Sequence, residues 1–320
     1  MTSDNPIKEI VLMEFYSHEV KKKYVPAFLS GILRGMGELQ FSKNGFKVKF
    51  ESSSYDLIYH IYKTLTELYG EKFYIETKEF KKGESIIEKY VIPIDTDISN
   101  DLLDRCGLVK NKFEIIDIIP KSVIDSHQSK REFLKGLFLS CGNLVVPSTS
   151  MDEKSNGYKL SYSLNSDIVK DEIIDIISQE AQIDRESILK NKKTNEIFIR
   201  AAEKIAMTLT CMGSVSGVLQ FYDVIATRKM HNDLNRTNNI VVGNIGKTVV
   251  ANQNQINAIK KLKKYGGYKK LSPELKELCD MREKYPDLDL VKLGKMFSPE
   301  LSKSCVNHRL RRIIELSKEE

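Results

Sequence analysis

The sequence predicts an α+β fold over its first two thirds and an all-α domain at its C-terminal end. Two observations support this prediction. A glycine-bearing helix motif occurs twice, 105 residues apart, and each copy is followed by strands and helices in a similar order. The last 45 residues instead show apolar side chains at helical spacing, interrupted by short turns. A chain of 320 residues is long enough for two or three such domains.

The repeated motif predicts a pair of closely packed helices. Residues 28–37 read FLSGILRGMG and residues 133–142 read FLKGLFLSCG, with identity at Phe, Leu and two Gly positions. Glycine lowers helix stability unless its small size has another use. Here it would allow the two helices to approach backbone to backbone. We therefore expect a pseudo-twofold axis between the two repeats.

The elements that follow each motif are predicted from alternating and helical apolar patterns. After the first motif we expect strands at 38–42 and 46–52, a helix at 55–69, and strands at 72–80 and 88–94. After the second motif we expect strands at 143–146 and 158–164, a helix at 168–181, a strand at 195–200 and a helix at 202–212. The second repeat is thus predicted to be slightly shorter than the first.

Three short helices are predicted at the C-terminal end. The pair Ser272-Pro273 combines a capping hydroxyl with a proline at the first helical position, and Tyr285-Pro286 ends that helix. A second helix begins at Asp287 or Asp289 and has Gly294 near its end. After a turn at 297–301, Ser302 caps a third helix that runs to about Leu316.

The third helix has an apolar stripe on one side and a cationic side opposite. A short helix, a turn and a cationic helix are typical of a helix-turn-helix that enters the major groove. Arg and Lys can bind guanine and Asn can bind adenine, while Ser and Lys suit phosphates. A solvated helix that closes a bundle is the alternative. The candidate DNA contacts are Ser302, Lys303, Ser304, Asn307, His308, Arg309, Arg311 and Arg312.

Charge points to the same end of the chain. Residues 222–320 contain 20 Lys and Arg against 12 Asp and Glu, a net charge of +8, whereas residues 1–221 carry −2. A polyanionic partner is therefore expected for the C-terminal third. The amide-rich residues 235–249 predict a loop that leads into a helix at 250–264, with a plain linker helix as the alternative. The candidate DNA-backbone contacts there are Arg236, Asn239, Asn244, Lys247 and Thr248.

Composition argues against several other classes of protein. The five cysteines lie far apart without CxxC spacing, which favours neither a disulfide framework nor a zinc cluster and suits a reducing cytosol. No basic leader and no run of about 18 apolar residues is present, so we expect no membrane partner and a cytoplasmic location. No cofactor and no metal site are predicted.

The doubled motif and its order of elements resemble the LAGLIDADG fold of homing endonucleases in its single-chain form. In that family each motif helix ends with an acidic residue before its last glycine, and the two carboxylates hold divalent metals. Those positions are Met36 and Cys141 here, and neither side chain suits magnesium. The family's other common acid, two residues earlier, is Arg34 in one copy and Leu139 in the other.

The resemblance therefore implies a retained fold without its hydrolytic site, and no enzymatic activity is predicted. Glu38 lies just past the first motif, but Asn143 takes the equivalent place in the second copy, so no symmetric carboxylate pair is available. An active endonuclease that uses Glu38 is the alternative function. A platform for a protein partner or a metabolite is a third.

The whole chain resembles the WhiA family of bacterial DNA-binding regulators. This resemblance rests on the degenerate motif pair, the amide-rich segment and the terminal run LSKSCVNHRLR at 301–311, and it is weakest at Ile240 and Val242, where relatives usually show Cys and an acid. It implies a transcription regulator linked to sporulation, cell division or chromosome segregation. Double-stranded DNA at promoters or chromosomal sites is the implied partner, which places the protein at the nucleoid, and RNA polymerase or another regulator are further candidate partners.

The predicted domains follow from these observations. We expect a first repeat at 1–110, a second repeat at 111–221, a basic linker and helix at 222–265 and a helix-turn-helix domain at 266–320.

Overall fold

The computed structural model describes residues 5–82, 85–148, 157–164, 166–191 and 193–319. The chain divides into an N-terminal unit, Met1–Lys229, and a C-terminal unit, Met230–Glu320.

The N-terminal unit begins with a helix that the sequence patterns did not indicate, α1 (Pro6–Ser17). Asn5 caps it, and its residues Ile7, Val11 and Phe15 are buried. The first repeat then comprises α2 (Val25–Met36), β1 (Glu38–Ser42), β2 (Gly45–Ser52), α3 (Tyr55–Tyr69), β3 (Glu76–Lys82), β4 (Ser85–Pro93) and α4 (Thr96–Arg105). Its four strands form an antiparallel sheet in the order β1-β2-β4-β3.

The second repeat has the same order of elements. A two-stranded pair, β5 (Val109–Lys110) and β6 (Glu114–Ile115), precedes it. The repeat comprises α5 (His127–Cys141), β7 (Gly142–Val145), β8 (Lys159–Ser163), α6 (Lys170–Ala181), β9 (Leu189–Lys190), β10 (Glu196–Ile199) and α7 (Ala202–Cys211). Its sheet order, β7-β8-β10-β9, matches that of the first repeat strand for strand, which confirms the predicted α+β fold with pseudo-twofold symmetry.

The prediction of a shorter second repeat is wrong in one respect. Strand β9 completes the second sheet by pairing Leu189 and Lys190 with β10. Two residues are too few to show an alternating pattern, so the sequence carried no periodic signal for this strand. Helix α4, the first-repeat counterpart of α7, was also missed.

Helices α2 and α5 pack against each other through their glycines. A Cβ atom on Gly31 would overlap the carbonyl oxygen of Phe133 and lie 2.7 Å from the backbone nitrogen of Leu137. A Cβ atom on Gly136 would overlap the carbonyl oxygen of Phe28 in the same way. The predicted backbone-to-backbone approach is confirmed, and the two repeats share one apolar core around it.

A single helix, α8 (Ser216–Tyr265), replaces the loop predicted at 235–249. The loop prediction is therefore wrong. The Asn and Gly residues that suggested it have low helix propensity, and every side chain from 232 to 251 is exposed. Buried residues anchor the helix on either side of this stretch, Val218 and Phe221 before it and Ile259 after it. Extending an existing helix adds a hydrogen bond for each residue ordered, which helps a segment of low helix propensity to remain helical.

The C-terminal unit contains the three predicted short helices. They are α9 (Pro273–Lys284), α10 (Leu290–Gly294) and α11 (Lys303–Lys318). Ile259 and Leu262 of α8 belong to the same buried core as these helices, so the end of α8 is part of this core. The other members of this core are Leu271, Leu278, Cys279, Leu293, Phe297, Val306, Leu310 and Ile313.

Candidate nucleic-acid interface

The turn between α10 and α11 brings the two helices close together. Asp289 caps α10 by accepting hydrogen bonds from the backbone nitrogens of Val291 and Lys292, at 2.9 and 3.0 Å. The backbone nitrogen of Leu301 donates to the carbonyl of Gly294 at 3.0 Å, and a Cβ atom on Gly294 would overlap the carbonyl oxygen of Leu301. Glycine is therefore required at this position for the chain to return so closely.

The apolar stripe of α11 orients the helix within the C-terminal unit. Val306, Leu310 and Ile313 are buried against the core that contains Leu278 and Leu293. Because these three residues share one side of the helix, the opposite side faces solvent. The burial pattern thus selects which of the candidate DNA contacts are available.

Six candidate residues lie in two rows on the solvent side of α11. The first row is Lys303, Asn307 and Arg311, and the second is Ser304, His308 and Arg312. Residues four apart are neighbours on a helix surface, so each row spans about 12 Å along the axis. All are exposed except Asn307, which is half-buried.

The cations of these rows have few acidic neighbours. Among the residues the structure describes, neither Lys303 nor Arg311 forms an ion pair or a side-chain hydrogen bond. Arg312 lies 3.3 Å from Glu315 on the same helix, and both side chains are exposed, so this pair is weak. The cations of the first row, Lys303 and Arg311, are therefore free to bind an external anion.

Two candidate residues have structural partners instead. The Ser302 hydroxyl caps α11 by accepting from the backbone nitrogen of Cys305 at 3.2 Å. Arg309 forms a 2.7 Å ion pair with Glu274 in the first turn of α9 and lies outside the two exposed rows. Their contacts with DNA stay predictions, and the structure gives each a role within the fold.

The candidate backbone contacts of the amide-rich segment lie on the exposed part of α8. Arg236 and Lys247 are eleven residues apart, which is about three turns, so they occupy the same side at a separation of about 16 Å. The Thr248 hydroxyl donates to the carbonyl of Asn244 at 2.9 Å within the helix. Asn239 is also exposed.

Arg282 is a residue whose importance the sequence patterns did not reveal. It is completely buried in α9, and its guanidinium donates to Asn252, to Gln255 at 2.9 Å and to the carbonyl of Leu288 at 2.5 Å. Burial lowers the pKa of Arg282. A signal for it existed, because position 282 follows Leu278 by four residues and so falls on the apolar stripe of α9.

The nuclease positions of the N-terminal unit do not fit a divalent metal. Met36 and Cys141 stand at the ends of α2 and α5. Burial raises the pKa of the Cys141 thiol to about 12, and its sulfur donates to the carbonyl of Leu137. A neutral thiol and a thioether are poor ligands for Mg²⁺. Within the described ranges, no group of three or more His, Cys, Asp or Glu side chains is arranged to hold a metal ion.

The neighbouring positions are also occupied by other interactions. Arg34 donates to the carbonyls of Gly107 and Ile118, at 3.0 and 2.9 Å. Glu38 pairs with Lys49 at 2.8 Å, and Asn143 accepts a hydrogen bond from Lys8. Arg34, at a position where the endonuclease family commonly has an acid, therefore contributes to the folded structure, as do Glu38 and Asn143 just past the two motifs.

Three lysines on the two sheets are paired with carboxylates, although Lys47 of β2 and Lys81 of β3 form no ion pair among the described residues. In the first sheet, Lys49 and Lys89 both bind Glu51, at 2.7 and 2.5 Å. In the second, Lys159 binds Glu196 at 2.8 Å. Lysines paired in this way offer little net charge to a phosphate backbone.

No helix among the described residues combines the length and the apolar character needed to cross a bilayer.

Comparisons with known proteins agree with this architecture. Models of the WhiA N-terminal LAGLIDADG-like domain, the WhiA LAGLIDADG-like domain and the WhiA C-terminal HTH domain match residues 23–109, 130–231 and 234–317. The probable cell division protein WhiA of Clostridium tetani is 30% identical over 309 residues, covering 94% of this chain and 93% of that protein. The protein of the same name from Clostridium acetobutylicum is 29% identical over 301 residues, covering 92% and 91%.

A solved structure shows the same fold. The crystal structure of full-length WhiA from Thermatoga maritima is 19% identical, with a TM-score of 0.53 over 98% of this chain and 97% of that one. Taken with the matched models and relatives, the two glycine-linked repeats and the terminal helices show that the chain belongs to the WhiA family, with LAGLIDADG-like domains followed by a helix-turn-helix domain.

Proposed function

We propose that this chain is a sequence-specific regulator of transcription that binds double-stranded DNA through α11. The observation behind this proposal is the row of Lys303, Asn307 and Arg311 on α11, whose two exposed cations have no acidic partner among the described residues. In a major groove, Asn307 can bind adenine and Arg311 can bind guanine. Lys303 and Ser304 near the start of the helix suit phosphates and would fix the register.

The exposed segment of α8 would add contacts to the DNA backbone. Arg236 and Lys247 present two cations on one side of the helix. Asn239 and Asn244 carry amide donors, and they are exposed beside these cations. Contacts of this kind raise affinity for every sequence and carry no base preference.

The N-terminal unit would serve as a scaffold without hydrolytic activity. This part of the proposal rests on Met36 and Cys141, which cannot hold magnesium, and on Glu38, which is paired with Lys49. An active endonuclease would require a carboxylate pair at the end of the two glycine helices. The chain offers Glu38 there without a second acid at Asn143.

The relatives named as probable cell division proteins support a role in division for this chain. Control of sporulation or chromosome segregation genes is a finer version of the same proposal. A chromosomal target would place the protein at the nucleoid. RNA polymerase or a second regulator would then be the protein partner through which binding affects transcription.

The test begins with selection of bound fragments from random DNA by the full chain. On the selected site, Asn307→Ala and Arg311→Ala should each cost about 1–3 kcal/mol and relax the base preference. Lys303→Ala should weaken all sequences alike and reduce the salt dependence. Lys292→Ala, an exposed lysine of α10, is the charge-matched control. Unchanged footprints after all three α11 substitutions would exclude this helix as the reader.

A second experiment addresses hydrolysis. The purified chain is incubated with its selected DNA and Mg²⁺ or Mn²⁺, and we expect intact strands. Scission that Glu38→Gln abolishes would replace the scaffold proposal with an endonuclease.

A further inference from the structure

We propose that a cleft in the N-terminal unit binds a small organic anion with an apolar body. The cleft has a volume of about 650 Å³ and lies between the end of α1, the first half of α5 and the end of α7. Its lining includes Met13, Phe15, His18, Arg131, Lys135 and Met212. Clefts of this size are typical of sites for small molecules. The inference goes beyond DNA binding and does not depend on it.

A buried ion pair lies in the wall of this cleft. Glu132 and Lys135 of α5 are only 1% and 4% exposed, and Lys135 Nζ is 3.2 Å from Glu132 Oε2. Burying two charges costs free energy that well-packed apolar side chains would not. A charged pair at this depth is therefore a candidate for a binding role.

One oxygen of the Glu132 carboxylate, Oε1, is contacted by two polar side chains, whereas Oε2 is buried without a hydrogen bond and meets only the Lys135 ammonium. The Gln128 amide donates to Glu132 Oε1 at 2.8 Å, and the Nε2 atom of His18 lies 3.1 Å from the same oxygen. The ammonium of Lys135 has three N–H donors. Among the described residues its polar partners are the two oxygens of Glu132, and it also lies 5.8 Å from the centre of the Phe15 ring. Lys135 thus retains donor capacity toward the cleft that it lines.

The second carboxylate of the cleft, that of Glu14, is hydrogen-bonded to the start of α8. Glu14 caps the start of α8, accepting from the backbone nitrogen of Ser216 at 2.6 Å and from the Ser214 hydroxyl at 2.6 Å. The backbone nitrogens of Val215 and Gly217 donate to it as well, at 3.1 and 3.2 Å. These bonds lower the pKa of Glu14 and satisfy its charge, so it does not occupy the donors of Lys135.

A second cation stands at the edge of the cleft. Arg131 approaches Glu180 through its Nε atom at 3.4 Å, a long contact, and its side chain is 44% exposed. In the described part of the chain, its two terminal nitrogens have no hydrogen-bond or ion-pair partner. Lys135 inside and Arg131 outside can therefore bind one anionic group from two directions.

The rest of the lining is mixed, with polar Ser17, Gln128 and Thr210 beside an apolar part that would contact the body of the ligand. Ile10, Met13, Phe15 and Met212 line the cleft. Met13 is 65% exposed, although methionine is usually buried. A carboxylate or a phosphate monoester with a short hydrocarbon body matches both parts of this lining. Free inorganic phosphate could contact the cations but would leave the apolar part of the cleft without a partner.

The test measures binding of four probes to the full chain by calorimetry. Hexanoate and hexyl phosphate carry the anionic group and the apolar body, hexanamide lacks the charge, and inorganic phosphate lacks the body. We expect saturable binding of at least one of the first two. Hexanamide and inorganic phosphate should each bind at least about tenfold more weakly than that probe.

Variants locate the site. The double substitution Glu132→Gln with Lys135→Met removes both buried charges together, which avoids leaving one unpaired. It should lower the affinity for the anionic probe by about tenfold or more. Lys81→Met, at an exposed lysine of β3, should leave this affinity unchanged. Arg131→Gln should give a smaller loss, about threefold, and serves as the deciding variant if circular dichroism shows that the double variant is unfolded.

The proposal is overturned by any of three results. These are absence of saturable binding by both anionic probes, equal binding of hexanoate and hexanamide, and wild-type affinity in the deciding variant. DNA binding by the same preparations is an independent readout, so loss of one activity is distinguished from loss of the other.

Discussion

Three lysines on the sheets of the N-terminal unit are paired with carboxylates, whereas two cations on α11 of the C-terminal unit are not. In the N-terminal unit, Lys49, Lys89 and Lys159 are each paired with a glutamate on the sheets. On α11 of the C-terminal unit, Lys303 and Arg311 have no such partner among the described residues. Net charges of −2 for residues 1–221 and +8 for residues 222–320 already separate the two ends of the chain, but pairing shows which cations remain available to a phosphate.

The units also differ in how their elements are held together. The N-terminal unit brings two backbones into contact at Gly31 and Gly136. The C-terminal unit is joined through one buried guanidinium, Arg282, which binds Asn252 and Gln255 of α8. A change at each of these points should therefore affect the unit in which it lies.

The largest expected effect is that of Arg282→Ala. It leaves the buried acceptor of Gln255 and the half-buried acceptors of Asn252 and Leu288 without their donor, which should cost the C-terminal unit about 3–5 kcal/mol. Hydrogen exchange on the full chain should show faster exchange in α9 to α11 and unchanged protection in α2 and α5. Arg312→Ala, at an exposed arginine, is the control. Equal protection in both variants would show that Arg282 does not hold this unit together.

The corresponding change in the other unit is Gly136→Ala, which should destabilise the N-terminal unit by about 3 kcal/mol or more. The added methyl meets the carbonyl of Phe28, and backbone moves less readily than a side chain. Thermal unfolding should show the lower stability, and hydrogen exchange should show reduced protection in α2 and α5. A variant as stable as the parent chain would mean that the helices are not in backbone contact.

A smaller effect is expected from pH, again confined to the N-terminal unit. Burial lowers the pKa of His60 from 6.5 to about 4, and its ring packs edge-on against Phe28. The unfolded chain takes up a proton near pH 6.5, whereas the folded chain does so only near pH 4. Stability is therefore complete above pH 6.5 and decreases between pH 6.5 and 4, by about 2 kcal/mol at pH 5.

His60→Phe should remove this part of the pH dependence. The free energy of unfolding in urea at pH 7 and pH 5 measures it, and an equal loss in the parent and in His60→Phe would assign the dependence to other groups.

The smallest effect is a gain in stability from Gly243→Ala and Gly246→Ala. A Cβ atom at either glycine meets no atom within 4 Å, so alanine adds helix propensity without a clash. We expect about 1 kcal/mol for each substitution. Slower exchange of the amides of residues 232–251 is the measurement, and unchanged exchange would argue against a continuous helix there.

Much of the architecture could be predicted because it follows from local patterns. The glycine spacing predicted the contact of α2 with α5, and Ser302 was predicted to cap α11, as it does. The exposed row of α11 was predictable for the same reason, since Val306, Leu310 and Ile313 mark the opposite face. Elements without periodicity were missed, such as β9 with its two residues.

The sequence by itself determined the doubled fold, the missing metal ligands and the cationic helix, because residue identity and spacing are sufficient for each. Only the tertiary structure decided which cations are free. The pairing of Arg309 with Glu274 and of Lys49 with Glu51 depends on residues that the chain brings together through folding. The burial of Arg282 and the cleft beside Lys135 arise in the same way, since both are formed by several elements distant in sequence.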